Sequence, residues 1–267
     1  KNLSLEPPQE QFRAIIALWG EGNLRVALSE SKVLLKEFPN SIPLLNFIGI
    51  CHTKLENFEA AIETFNTIIS INPYDTNTHF NIANTYKDVG KNDQAIAGYK
   101  KVLKINPTDS DAFNNLGVCW YNKGEFDNAV ESYQNAININ PYFAIAYNNM
   151  ARALERKGNL DLAIEKYQQA LSINADDYDV YNNLGLALKK KGIFDSAIEN
   201  YKEALKINPQ FSTAYVNLGT VLAEQKRFSA AIENYKQALK ITPNDGDIHN
   251  SIGLAFKLSG NIDAAIA

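Results

Sequence analysis

A strict 34-residue period constrains this chain more than any other feature. Ala27, Ala61, Ala95, Ala129, Ala163, Ala197, Ala231 and Ala265 stand 34 residues apart without a miss, each followed by Leu, Ile or Val. Pro39, Pro73, Pro107, Pro141, Pro209 and Pro243 keep the same frame, with Ala175 in the one gap. A unit of this size cannot bury its own apolar face, so neighbours must stack on one another. With proline at position 32, the repeats run 8–41, 42–75, 76–109, 110–143, 144–177, 178–211 and 212–245, with a partial eighth at 246–267.

Each repeat reads as two helices. In the fourth, Phe113, Leu116, Gly117 and Trp120 occupy positions 4, 7, 8 and 11, one face at helical spacing. Phe126, Ala129, Val130, Tyr133, Ala136 and Ile137 form the corresponding face of the second helix. The small residues at positions 8 and 20 predict a close crossing of the two helices. Ser41, Asp75, Asp109, Asp177 and Asp245 are expected to cap first helices, and the recurrent position-18 residues Asp93, Asp127, Asp161, Asp195, Ser229 and Asp263 to cap second helices. Gly90, Gly124, Gly158, Gly192 and Gly260 predict left-handed stops for first helices. Glu56 and Lys226 stand at the same position, where a side chain makes the turn costlier. The residue before proline avoids the helical region, so each Asn-Pro pair ends a second helix.

These positions resemble the tetratricopeptide repeat signature of W-x2-L-G-x2-Y, A-x3-F and P. In the sixth repeat they read Tyr181, Leu184, Gly185, Leu188, Ala197, Tyr201 and Pro209. The first repeat departs most, at Gln11, Ala14, Ile15 and Ser31, as befits a unit with one neighbour. The resemblance implies an all-α, right-handed α-solenoid superhelix of about seven and a half helix-turn-helix repeats, a single solenoid over residues 1–267. First helices would line the concave face and second helices the convex one. Half a repeat cannot cover the unit before it, so the expectation is that the protein continues beyond Ala267.

Charge and motif content narrow the function classes. A net charge of −4 and a pI near 5.5 argue against a nucleic-acid partner, which calls for a basic excess. No apolar run is long enough to cross a bilayer, and the first residues lack the apolar centre of a signal peptide, so no membrane insertion is expected. Cys51 and Cys119 have no metal-ligand spacing and suit a reducing, cytoplasmic setting. Both fall at position 10, among small residues, and read as core fillers. His79 and His249 at position 4, and His52 at position 11, read as substitutes for packed rings. No nucleophile elbow, phosphate loop or His-Glu metal motif is present. The segment is therefore expected to be non-catalytic, with no metal and no cofactor.

The feature that points to function is asparagine. Position 6 reads Asn81, Asn115, Asn149, Asn183 and Asn217 in five consecutive repeats, and position 5 adds Asn114, Asn148 and Asn182, with Asn46 and Asn250. Helix propensity does not favour asparagine. In similar solenoids position 6 faces the groove, where an amide both donates to and accepts from a peptide backbone. The alternative is that these amides tie neighbouring repeats together. Arg152, Arg156, Lys189 and Lys190 form a basic patch interrupted by Glu155, which favours an acidic partner or is simply solvated charge. The family's chaperone-tail clamp needs a lysine at position 5, which no repeat has. The expected function is a scaffold that binds a protein or peptide in the concave groove. Two alternatives remain: the recognition arm of a larger transferase, since the Tyr-Asn-Asn-Leu-Gly text at 181–185 resembles repeats of O-linked N-acetylglucosamine transferases, and a self-associating scaffold.

Overall fold

The computed structural model describes residues 6–261, and the regular structure among them is entirely α-helical. First helices are α1 (Gln9–Gly20), α3 (Ile42–Lys54), α5 (Thr76–Asp88), α7 (Ser110–Asn122), α9 (Ala144–Arg156), α11 (Tyr178–Lys190), α13 (Ser212–Glu224) and α15 (Gly246–Leu258). Second helices are α2 (Leu24–Glu37), α4 (Phe58–Ile71), α6 (Asn92–Ile105), α8 (Phe126–Ile139), α10 (Leu160–Ile173), α12 (Phe194–Ile207) and α14 (Phe228–Ile241). The chain forms two compact units, one ending at Ile139 and one beginning at Asn140. Within each unit a first helix packs on the second helix of its own repeat, and that second helix packs on the next first helix.

The small residues sit where the helices cross. Ala27, Ala61, Ala95, Ala129, Ala163, Ala197 and Ala231 are fully buried; Ala265 lies outside the described residues. Opposite them, position 8 meets the ring at position 24. A Cβ added to Gly117 would lie 2.6 Å from the Tyr133 ring, and one on Gly185 2.6 Å from the Tyr201 ring. The third repeat reverses the arrangement. Ala83 fills position 8, and Gly98 on the second helix makes the room, since a Cβ there would lie 2.7 Å from the Ala83 Cβ. The same close approach is reached from either side.

First-helix caps form as the sequence indicates. Asp75 accepts from the Thr78 N–H at 2.7 Å, Asp109 from Ala112 at 2.9 Å, Asp177 from Val180 at 3.1 Å and Asp245 from Ile248 at 3.3 Å, with Ser41 accepting more weakly from Leu44 at 3.4 Å. Where an asparagine precedes the proline, it closes the other end of the hairpin. Asn72, Asn106, Asn140 and Asn208 each accept from the backbone N–H two residues on, an Asx turn that bridges the proline.

The expected caps at position 18 need correction. Second helices begin at position 17, so Asp93, Asp161, Asp195 and Ser229 already lie in the first helical turn, and α6, α10, α12 and α14 have no side-chain cap. The aspartates point instead to position 14 of the following repeat. Lys123 donates to Asp93 at 2.5 Å, Lys191 to Asp161, and Gln225 to Asp195 at 3.2 Å. Asp127 lies in the first turn of α8, and Asp263 is outside the described residues. A carboxylate in the first turn still complements the helix dipole.

First helices end in left-handed residues. Gly124 and Gly192 have φ of +80°, and Glu56 and Lys226 are held at φ of +60° in the equivalent turns. An L-residue there costs roughly 1–2 kcal/mol, partly offset by the unfolded-state freedom that glycine would add. Glu56→Gly and Lys226→Gly are each expected to stabilise the protein by about 0.5–1 kcal/mol, read as a higher midpoint in urea unfolding. In the opposite direction, Ala129→Leu overpacks the crossing and is expected to cost about 1–3 kcal/mol.

Candidate functional site

Burial of positions 7, 8 and 10 fixes which side of each first helix is left for a partner. In α7, Leu116, Gly117 and Cys119 turn inward. Positions 2, 6, 9 and 13, here Asp111, Asn115, Val118 and Asn122, then form one exposed to half-buried stripe along the helix. The sequence-derived asparagines lie on or beneath this stripe. Asn81, Asn115, Asn148, Asn149, Asn183 and Asn217 are half-buried, whereas Asn114 and Asn182 are buried.

Neighbouring repeats are joined amide to amide. The Nδ2 of Asn81 donates to the Oδ1 of Asn46 at 3.0 Å, Asn183 to Asn148 at 3.4 Å, and Asn217 to Asn182 at 2.8 Å. Position 6 of one repeat thus bonds to position 5 of the repeat before it. In the third repeat position 5 is Phe80, and Asn115 turns to Asn84 at position 9, 3.2 Å away. The Asn84 oxygen also accepts the buried Tyr99 hydroxyl at 2.5 Å. Each such bond engages one of the four hydrogen-bonding positions of a primary amide. The asparagines therefore hold the repeats in register, with Asn182 doing so from a buried seat. Between α3 and α5 the stripe dips into a cavity of about 230 Å³, lined by Ile50, Thr53, Phe65, Asn81, Asn84 and Lys87 among others.

The basic patch is laced with carboxylates. Lys190 pairs with Glu155 at 2.5 Å and Lys189 with Glu224 at 2.7 Å. The other oxygen of Glu155 accepts the Tyr167 hydroxyl at 3.0 Å. Arg152 and Arg156 are exposed on the same helix. Glu224 was missed in the sequence because it stands 35 residues after its partner. The asparagine bonds have the same offset of one repeat plus one residue, so a search at 35 rather than 34 finds both.

The cysteines are fully buried and burial pushes both thiols up to about 11, which keeps them protonated and inert near neutral pH. The histidines divide. His52 is buried in the ring position, but His79 and His249 instead place Nε2 2.9 and 3.2 Å from the carbonyls of Pro73 and Pro243. They latch the preceding turn rather than fill the core, a correction to the packed-ring reading. No helix among the described residues is long and apolar enough to cross a membrane.

Two stability tests follow. Asn182→Ala leaves the Asn217 N–H without its buried acceptor and is expected to cost about 1–3 kcal/mol in urea unfolding. His52 has its pKa lowered by burial and by Lys32, and its Nδ1 has no partner. The unfolded chain therefore takes up a proton as pH falls through about 6.5 before the native protein does, and stability drops on acidification. His52→Leu, matching Leu154 and Leu188 at the same position, is expected to raise stability and flatten that pH dependence between pH 7 and 5.

Comparison with known proteins agrees with this architecture. Family models described as "TPR repeat" match residues 83–123, 156–192 and 219–260. Models described as "Tetratricopeptide repeat" match residues 42–75, 110–143, 132–165 and 178–211. A search of curated proteins found no significant match. Among solved structures, MamA is 29% identical, with a TM-score of 0.57 over 61% of this chain and 95% of its own. YrrB, described as a TPR protein with an unusual peptide-binding site, is 22% identical, with a TM-score of 0.58 over 74% of this chain and 99% of its own. A tetratricopeptide repeat protein from Parabacteroides merdae is 18% identical, with a TM-score of 0.70 over 93% of this chain and 98% of its own. At these identities the last two speak to fold alone.

Proposed function

The chain belongs to the tetratricopeptide repeat family, and from that premise we propose that it is a non-catalytic protein-interaction scaffold that holds an extended segment of a partner protein along its first helices. The observation that carries this reading is the row of half-buried amides at position 6. The inter-repeat bonds of Asn81, Asn115, Asn183 and Asn217 fix those side chains before any partner arrives, so little rotamer entropy is lost when a polypeptide backbone binds. Asn81, Asn115, Asn149, Asn183 and Asn217 are the contact candidates. Asn114, Asn148 and Asn182 act behind them, as supports.

The charge pattern refines the partner. Lys189 and Lys190 are committed to Glu224 and Glu155, which weakens the case for a strictly acidic segment. A surface of amides and paired charges reads backbone more than side-chain charge.

The double variant Asn149→Ala and Asn183→Ala tests this. Binding to the polypeptide captured by the wild type is expected to weaken at least tenfold. Helicity should persist, and the loss of the Asn183 to Asn148 bond should lower stability by only about 1 kcal/mol. Undiminished affinity of the double variant would remove the amides from the binding surface.

A further inference from the structure

A groove of about 460 Å³ runs between α2 and α4 over α3, inside the first compact unit. Leu45 and Ile48 of α3 and Leu35 of α2 give it an aliphatic lining. Its charged lining is cationic on balance, with Lys32 and Lys36 of α2 against one carboxylate, Glu63 of α4. Both lysines are exposed, and among the described residues neither has an ion-pair partner. They differ in this from Lys189 and Lys190, which are paired. The helix α3 turns repeat positions 4, 7 and 11 to the groove, none of which belongs to the amide stripe at 2, 6, 9 and 13.

One group in this lining lacks a match. His52 keeps only 6% of its surface, and its buried Nδ1 has no partner. Buried polar atoms are ordinarily hydrogen-bonded, so one that is not calls for a reason. The equivalent groove one repeat on is built differently. There Tyr86 stands in place of His52 and Asn66 in place of Lys32, and the volume falls to about 260 Å³. No other repeat has a histidine at position 11.

We infer that this groove binds a small amphiphilic carboxylate, its hydrocarbon part against Leu35, Leu45 and Ile48 and its anionic head among Lys32, Lys36 and His52. Two ammonium groups and an imidazole offer charge-assisted donors to a carboxylate. The aliphatic lining is favourable to cover in proportion to the area removed from water. The volume is that of a small-molecule pocket. A neutral ligand would leave the lysines and the imidazole unmatched, and a cationic one would meet Lys32 and Lys36. Charge complementarity therefore selects the anion. Binding is coupled to protonation. Burial and then Lys32 hold His52 below its ordinary value, so the ligand-free ring is neutral at pH 7. Lys36 and Glu63 are the other charged groups of the lining. A carboxylate beside the ring favours its protonated form. Affinity then rises as pH falls from 8 to 6, with proton uptake on binding.

The probe is octanoate, with octanol and octylammonium as its neutral and cationic counterparts. The full chain, labelled with carbon-13 at histidine Cε1, is titrated and followed by NMR. Octanoate is expected to saturate one site, to move the His52 signal and leave those of His79 and His249, and to bind roughly fivefold more tightly at pH 6 than at pH 8. Octanol should bind far more weakly. Lys32 and Lys36 are exposed, so Lys32→Glu with Lys36→Glu keeps the fold. That variant should lose octanoate and gain octylammonium. Thr67→Phe, at an exposed position of the lining, should block the groove without changing its charge. His52→Leu should still bind octanoate but lose the pH dependence. The variant carrying Asn149→Ala and Asn183→Ala should bind octanoate normally, which separates this site from the proposed peptide groove. Absence of saturable binding overturns the proposal. So does an unmoved His52 signal, octanol binding equal to that of octanoate, or octanoate binding that survives both Thr67→Phe and the lysine reversal.

Discussion

The contact between a backbone without a side chain and an aromatic ring sets the geometry of four of the repeats. At Gly49, Gly117, Gly185 and Gly219 the ring of Phe65, Tyr133, Tyr201 or Tyr235 occupies the space a Cβ would need. That approach fixes the distance between the helices of a repeat and brings the alanine at position 20 into full burial. Helix–helix distance depends on the side chains at the crossing, so one enlarged residue there would displace a whole hairpin and, through stacking, its neighbours. In the third repeat Gly98 makes room for Ala83, and the fifth repeat buries Ala151 at position 8 beside Tyr167, so the constraint is a small residue rather than a glycine at one address.

A second regularity is laid over the first. Hairpins recur every 34 residues, but side chains on adjacent first helices meet at 35. The Asn46–Asn81, Asn148–Asn183 and Asn182–Asn217 bonds and the Glu155–Lys190 and Lys189–Glu224 ion pairs share this offset. Second helices meet the next repeat at 30, from Asp93 to Lys123 and from Asp195 to Gln225. Exposed ion pairs of this sort contribute little individually. The half-buried amide pairs do more, because an unmatched amide at these positions would be desolvated without compensation. Register between repeats is thus set by polar chemistry on the first helices and by apolar packing beneath them.

Much of the fold was legible because proline, glycine and alanine act locally. Asn-Pro ends, left-handed glycines and first-helix aspartate caps are properties of a few consecutive residues, and each forms as read. The position-18 aspartates were misread because a period does not say where a helix starts. Phe126, Phe194 and Phe228 at position 17 already lie inside their helices, which moves the following residue past the cap. The asparagine row was visible, but its hydrogen bonds were not, since they depend on the sideways offset of stacked helices. Lys189 and Lys190 looked like a free patch for the same reason. Their partners are distant in sequence and adjacent only after stacking.

The dual use proposed for the amides carries a consequence for how such a surface can evolve or be engineered. A side chain that both secures its neighbour and, as proposed, faces a partner cannot be changed for binding without touching stability, whereas the apolar residues at position 9, Val118 and Leu186, can. Positions 9 and 13 vary freely here, from Asn84 and Asp88 to Val118 and Asn122, Leu186 and Lys190, and Thr220 and Glu224. Position 6 stays asparagine through five successive repeats. Constancy at 6 beside variety at 9 and 13 is the pattern expected of a backbone-holding rail flanked by adjustable contacts. Stability in a stacked array is close to a sum of unit and nearest-neighbour terms. A change at Val118 or Leu186 therefore alters one local contact and leaves the rail in place, whereas a change at Asn84 would release Asn115.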